Sequence, residues 1–147
     1  MAKIRVTQFI PRPIEEVFDL VSDHEKFLNS VEGVRAQVIK EGLPNRNGLG
    51  CKREVRAGTR VFYVEEVTKW TRPTSFEYTI RKASMPIRHY GSRMEFTSRP
   101  EGTEIIWTSR FDIAVPILGW AFAAYMRRQL EIVFIAMLKE ANIRLTG

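Results

Sequence analysis

Cysteine is nearly missing from this 147-residue chain, where Cys51 stands alone. An intrachain disulfide is excluded, and no thiolate cluster is available for zinc or iron–sulfur ligation. Histidine is scarce as well. His24 and His89 lie too far apart in the sequence to make a metal motif, so neither a metal nor another cofactor is expected. Long apolar runs are also wanting: the most apolar stretch, residues 113–125, contains Pro116 and Gly119 and falls short of the roughly 20 residues that span a bilayer. The amino end, MAKIRVTQF, has charge but no apolar block with a small-residue cleavage site behind it, so a cytoplasmic location is expected. There is no fixed-period repeat and no low-complexity linker, which leaves residues 1–147 as one expected domain.

Material for a core is plentiful. Apolar residues make up 44% of the chain, with 9 Phe, 4 Tyr and 3 Trp, which argues against a disordered chain, and the 27% of charged residues argues against a membrane-embedded one. The net charge of +6, from 23 basic and 17 acidic residues, allows attraction to anionic surfaces. The basic residues are spread over most segments without forming a basic helix, and Gly48-Leu49-Gly50 lacks the strand–helix setting of a nucleotide loop. No specific nucleic-acid partner is therefore expected.

Residues 3–10 alternate, with Ile4, Val6, Gln8 and Ile10 on one side, and predict a strand. Pro13 suits the first position of a helix, Glu15 and Glu16 suit its positively polarised first turn, and Ile14, Val17, Phe18 and Val21 form an i, i+3, i+4, i+7 stripe. Ser22-Asp23 ends that helix, and Asp23 can cap a second short one running to Asn29. From Val34 to Val115 the period is largely two. Strands are predicted over 34–41, 50–57, 60–70, 75–82, 89–97 and 103–113, with turn-forming residues between them. Connections this short favour antiparallel neighbours.

Phe76, Tyr78 and Ile80 share one strand face, as do Tyr90, Met94 and Phe96, and Ile105, Trp107 and Phe111. A curved sheet with an aromatic concave face follows. Residues 60–70 are apolar on both faces, which points to a subunit contact, a homodimer or another protein partner. After Pro116 the period returns to 3.6. In a helix over 120–142, Phe122, Met126, Leu130, Val133, Ala136, Met137 and Ala141 fill one side, while Trp120, Phe134, Ile135 and Leu138 fall near the polar side. The fold class is α+β: a curved seven-stranded antiparallel sheet around a long C-terminal helix, with two short helices between strands 1 and 2. A helix laid along such a sheet encloses space.

In this order the pieces resemble the START-like (SRPBCC) superfamily, and within it the bacterial polyketide cyclase/dehydrase and lipid-transport group. The resemblance spans roughly residues 4–141. It rests on Ile14-Glu15-Glu16-Val17-Phe18-Asp19-Leu20-Val21-Ser22-Asp23 for the first helix and Val31-Glu32-Gly33-Val34 entering the second strand. Gly48-Leu49-Gly50, Val64-Glu65-Glu66-Val67, Glu101-Gly102-Thr103 and the apolar final helix complete it. The proline and tryptophan usual after the first helix are absent from His24-Glu25-Lys26-Phe27-Leu28, and Phe27 stands in as the aromatic anchor. The resemblance implies a helix-grip fold with an internal cavity for a hydrophobic molecule between sheet and final helix. It brings no universal catalytic signature, because its members include lipid carriers, quinone-binding proteins and aromatase/cyclases.

Tyr78, Tyr90, Met94, Trp107 and Phe111 from the sheet and Met126, Leu130, Val133 and Met137 from the helix are expected around that cavity, where rings and thioethers can contact a planar or greasy ligand. Arg53 shares a face with Cys51 and Val55 and, if inward, would meet a ligand carbonyl or carboxylate. Gln129, at the margin of the helix's apolar side, could donate to a ligand oxygen. Glu65 and Glu66 point oppositely, and Glu66 is expected to pair with an arginine of a neighbouring strand. His24 is placed at an exposed helix entrance and His89 on the outer face, so no acid–base role is expected of either. Binding or transport of a lipid, isoprenoid quinone or aromatic metabolite is the leading reading. A polyketide cyclase, aromatase or dehydratase using the same chamber is the alternative. Residues 113–124 are apolar enough to guard the cavity or touch a membrane surface transiently.

Overall fold

A computed structural model of the chain describes residues 1–146. The first alternating segment forms β1 (Ala2–Ile10), with Ala2, Ile4, Val6 and Ile10 buried. Helix α1 (Ile14–Ser22) buries Val17, Phe18 and Val21, as the 3.6-residue stripe requires. Pro13 stands one position earlier than expected, as the residue preceding the first helical turn. The Asp23 side chain then accepts from the Lys26 N–H at 3.0 Å and starts α2 (His24–Leu28).

Six further strands follow: β2 (Val34–Lys40), β3 (Lys52–Ala57), β4 (Val61–Thr71), β5 (Ser75–Ala83), β6 (Ile87–Arg99) and β7 (Gly102–Ile113). They pair antiparallel in the order β1-β7-β6-β5-β4-β3-β2, so the chain's first strand closes against its last. The final helix, α3 (Gly119–Thr146), packs mainly on β1 and β7. It leaves the β2–β4 side of the concave face less covered. Phe18 meets Trp70, Phe76 and Phe96 edge-on, with ring centroids 5.0 to 5.8 Å apart, and this cluster fixes α1 over the sheet.

Two irregularities shape the interior. Between His89 and Gly91 the register of β6 against β7 slips by one residue, and Gly91 adopts a φ of 130°, open to glycine alone. The slip reverses which side chains face inward beyond it. Met94 and Phe96 are buried as expected, but Tyr90 is turned out, 48% exposed, and donates to Asp112 Oδ2 at 3.0 Å. His89 takes the inward direction instead. Pairing of β5 with β6 also stops at Tyr78↔Ser92, although both strands continue.

The inner face of α3 is turned from the expected one. Leu138 is fully buried, and Phe134 and Ile135 pack on the core. Phe122 and Val133 are exposed. The physical reason is that α3 is apolar nearly all round, so periodicity alone leaves its phase undetermined. Outward, the Arg56 guanidinium lies over the Phe62 ring of β4, 4.6 Å from its centroid.

Candidate functional site

Between the concave face and α3 lies a cavity of about 100 Å³. Phe27 and Leu28 of α2, Met94 of β6, Trp107 and Phe111 of β7, and Leu130, Phe134 and Met137 of α3 supply apolar wall. Phe134 lies flat on Trp107, with centroids 3.7 Å apart and planes within 4°. Trp107 Nε1 donates to the Tyr78 hydroxyl at 3.1 Å, so both rings are held in place. Tyr63, Leu130, Phe134 and Met137 also line a second, more open groove of about 790 Å³ that runs between α3 and β2–β4. The inner cavity and the outer groove thus share one wall.

Polar side chains gather on one flank. Arg53 and Glu65 are direct cross-strand partners on β3 and β4, both buried. Arg53 Nε lies 2.9 Å from Glu65 Oε1, and Nη1 donates to the Ser22 carbonyl at the end of α1 at 2.8 Å. His24, at the start of α2, places Nδ1 2.5 Å from the same Oε1. Burial alone would raise the Glu65 pKa, but His24 and Arg53 beside it outweigh burial and hold the carboxyl at about 2. Burial, reinforced by the Arg53 charge, lowers the His24 pKa against the pull of Glu65. At neutral pH the cluster is a carboxylate balanced by one guanidinium and hydrogen-bonded to a neutral imidazole.

A second polar group sits where β5 and β6 separate. The Ile80 N–H donates to His89 Nδ1 at 3.1 Å, which bridges the unpaired strands. His89 Nε2 faces the Ser92 and Ser109 hydroxyls at 2.8 and 3.1 Å. Because Nδ1 accepts, the ring proton belongs on Nε2. Burial lowers the His89 pKa to about 4, which keeps the ring neutral. Burial likewise raises the pKa of Tyr78.

Of the residues expected around the cavity, Tyr78, Met94, Trp107, Phe111, Leu130 and Met137 line it. Val133 lines the outer groove instead, and Met126 packs on the core beside the chamber. Tyr90 and Gln129 lie outside, the first through the β6 slip and the second through the rotation of α3. Arg53 takes the inward of its two possible directions, but it stands behind Glu65 and does not line the cavity. His24 and His89 reverse their expected positions and both border the cavity. Glu66 pairs with Arg81 at 3.0 Å on the outer face, as its alternation requires. Sequence reasoning missed Glu65, although Tyr63-Glu65-Val67 opposite Cys51-Arg53-Val55 puts one charge of each sign on adjacent inner faces.

A family model described as polyketide cyclase / dehydrase and lipid transport matches residues 1–141. TTHA0849 from Thermus thermophilus has a similar structure, with a TM-score of 0.80 at 19% identity over 99% of this chain and 100% of that one. A START superfamily protein from Mycobacterium smegmatis superposes with a TM-score of 0.76 at 12% identity, covering 98% of this chain and 99% of that one. For Ara h 8.0201 the TM-score is 0.70 at 12% identity, over 95% of this chain and 97% of that one. No curated protein matches the chain. The solved structures share the fold, and the match over residues 1–141 places the chain by sequence: it belongs to the polyketide cyclase/dehydrase and lipid transport family.

Proposed function

We propose that the protein binds a small hydrophobic molecule, seating a compact apolar portion in the cavity between the sheet and α3. The observation that carries this reading is a void of about 100 Å³ walled by aromatic side chains, where ordinary packing leaves few voids larger than a water molecule. Its size is of the order of an engineered cavity that admits benzene. A single ring suits the inner chamber, and a whole lipid does not. A longer ligand, such as an isoprenoid quinone or another lipid, would leave its chain in the outer groove along α3. Transfer out of water would contribute about 25 cal/mol per Å² of apolar surface before ordering losses. Native mass spectrometry of gently purified protein, followed by solvent extraction, tests the reading. Retained apolar cargo is expected, and Trp107→Ala with its fold intact should retain less. Equal retention by that variant would count against the inner chamber.

The enzymatic alternative, a cyclase or dehydratase, has one observation in its favour, the hydrogen bond between His24 and Glu65 beside the chamber. Conversion of extracted cargo by wild type but not by His24→Gln would favour it.

The exposed start of α3 supports transient contact with an anionic membrane surface. Ile117, Trp120 and Tyr125 are 89%, 78% and 62% exposed, and Arg127 and Arg128 follow them. Among the described residues no helix is long and apolar enough to cross a membrane. Sedimentation with phosphatidylserine vesicles should carry the protein down, and Trp120→Ala should weaken the effect. Self-association through this face without vesicle binding would favour a homodimer.

A further inference from the structure

We infer that the ligand of this cavity is a neutral compound carrying a hydroxyl on a compact ring, a phenol-like molecule that donates its hydrogen bond to His24 Nε2. The inference rests on the binding reading above and adds the chemical class that the chamber selects. A carboxylate can only accept hydrogen bonds, so the His24 nitrogen facing Glu65 Oε1 at 2.5 Å must be Nδ1–H. The charge of Glu65 is already balanced by Arg53, whose Nε lies 2.9 Å from the same oxygen. A second cation at this buried place would be uncompensated, so the imidazole stays neutral and its remaining nitrogen is an acceptor.

Among the described residues, that acceptor has no protein partner, and His24 is both buried and part of the cavity wall. His89 offers no equivalent site. Its Nδ1 is occupied by the Ile80 N–H and its Nε2–H by two serine hydroxyls. A ligand without a donor would leave that nitrogen unpaired. A ligand with one would satisfy it, an advantage of about 10–100-fold in affinity. Carboxylates fare worst. Glu65 is ionised on the same wall, no lysine or arginine lines the chamber, and the Arg53 charge is engaged behind Glu65. The lining therefore disfavours fatty acids and aromatic acids and admits neutral hydroxyl compounds.

The test titrates the whole protein at neutral pH with phenol, toluene and benzoate, three probes of one ring each, by ligand-observed NMR. In parallel, a long-range proton–nitrogen spectrum follows the His24 ring. Phenol should bind about 10–100-fold more tightly than toluene, benzoate should not compete, and the Nε2 resonance should move with phenol alone. In His24→Phe, phenol should lose its advantage while toluene stays within about threefold. Should that variant fail to fold, the wild-type nitrogen shift decides by itself. Equal affinity for toluene and phenol, or an unmoved Nε2 with phenol bound, would overturn the inference and leave the cavity reading intact. Failure of all three probes to bind would remove the cavity reading as well.

Discussion

Arg53 and Glu65 are charges taken wholly out of water, and each is tolerable only because of the other. Their direct register across β3 and β4 brings the groups within 2.9 Å, and Ser22 and His24 take further hydrogen-bonding atoms. Glu65→Leu should therefore cost about 3–5 kcal/mol in urea unfolding, since it leaves a buried guanidinium unpaired. The double variant Arg53→Met with Glu65→Leu should recover most of that loss. A single-variant cost below about 1 kcal/mol would contradict the described contact. The same groups set a pH dependence. His89 resists protonation down to about pH 4 in the folded chain, against 6.5 ordinarily, so the unfolded chain binds more protons across that window and stability falls as pH drops through it. His24 acts in the same direction. Glu65 extends the decline: its folded pKa of about 2 lies below its ordinary 4.5, so stability present above pH 4.5 is lost between there and pH 2. Urea midpoints measured from pH 7 to pH 2 should fall throughout, and His89→Gln should flatten the upper part. Alternation put Arg53 on one strand face with Cys51 and Val55 and left open which face is inward. Glu65 was not legible, because Phe62 and Val64 blur the phase of β4, and the polar run His24-Glu25-Lys26 reads as solvated until the Asp23 cap turns the imidazole inward.

Among the elements, α1 and β7 follow from pattern alone, since each has one apolar and one polar face. Helix α3 and strand β6 do not. Apolar side chains occupy most directions around α3, and its orientation is decided by what meets the sheet: Leu138 against the core and Phe134 against Trp107. Leu138→Ala should cost about 2–5 kcal/mol, whereas Val133→Ala, on the open groove, should cost under about 1 kcal/mol. Matched denaturation curves check this, and a reversal of the two would restore the helix phase read from the sequence. In β6, a single slip at Gly91 exchanges Tyr90 for His89 on the inner face. Alternation counted along a strand cannot register such a slip, because the extra residue is visible only against the partner strand.

For the molecule as a whole, the antiparallel seven-stranded sheet and its long final helix were legible because the period stays near two from Val34 to Val115 and returns to 3.6 after Pro116, and because the connections are short. The void was not. The same aromatic residues could have filled the interior, and periodicity carries no information on whether facing side chains meet or leave a gap. The structure leaves one, where the sheet curves away from α3 and Trp107, Phe111 and Leu130 stop short of closing the space. The central claim is that this space receives an apolar ligand, and a crystal structure determined under xenon pressure tests it most directly. Xenon is apolar, makes no directional bonds and occupies cavities of this kind. The account predicts an ordered xenon atom in the inner chamber, between Trp107, Phe111 and Leu130. A chamber closed by side chains with no xenon, or xenon found only in the outer groove along α3, would contradict it.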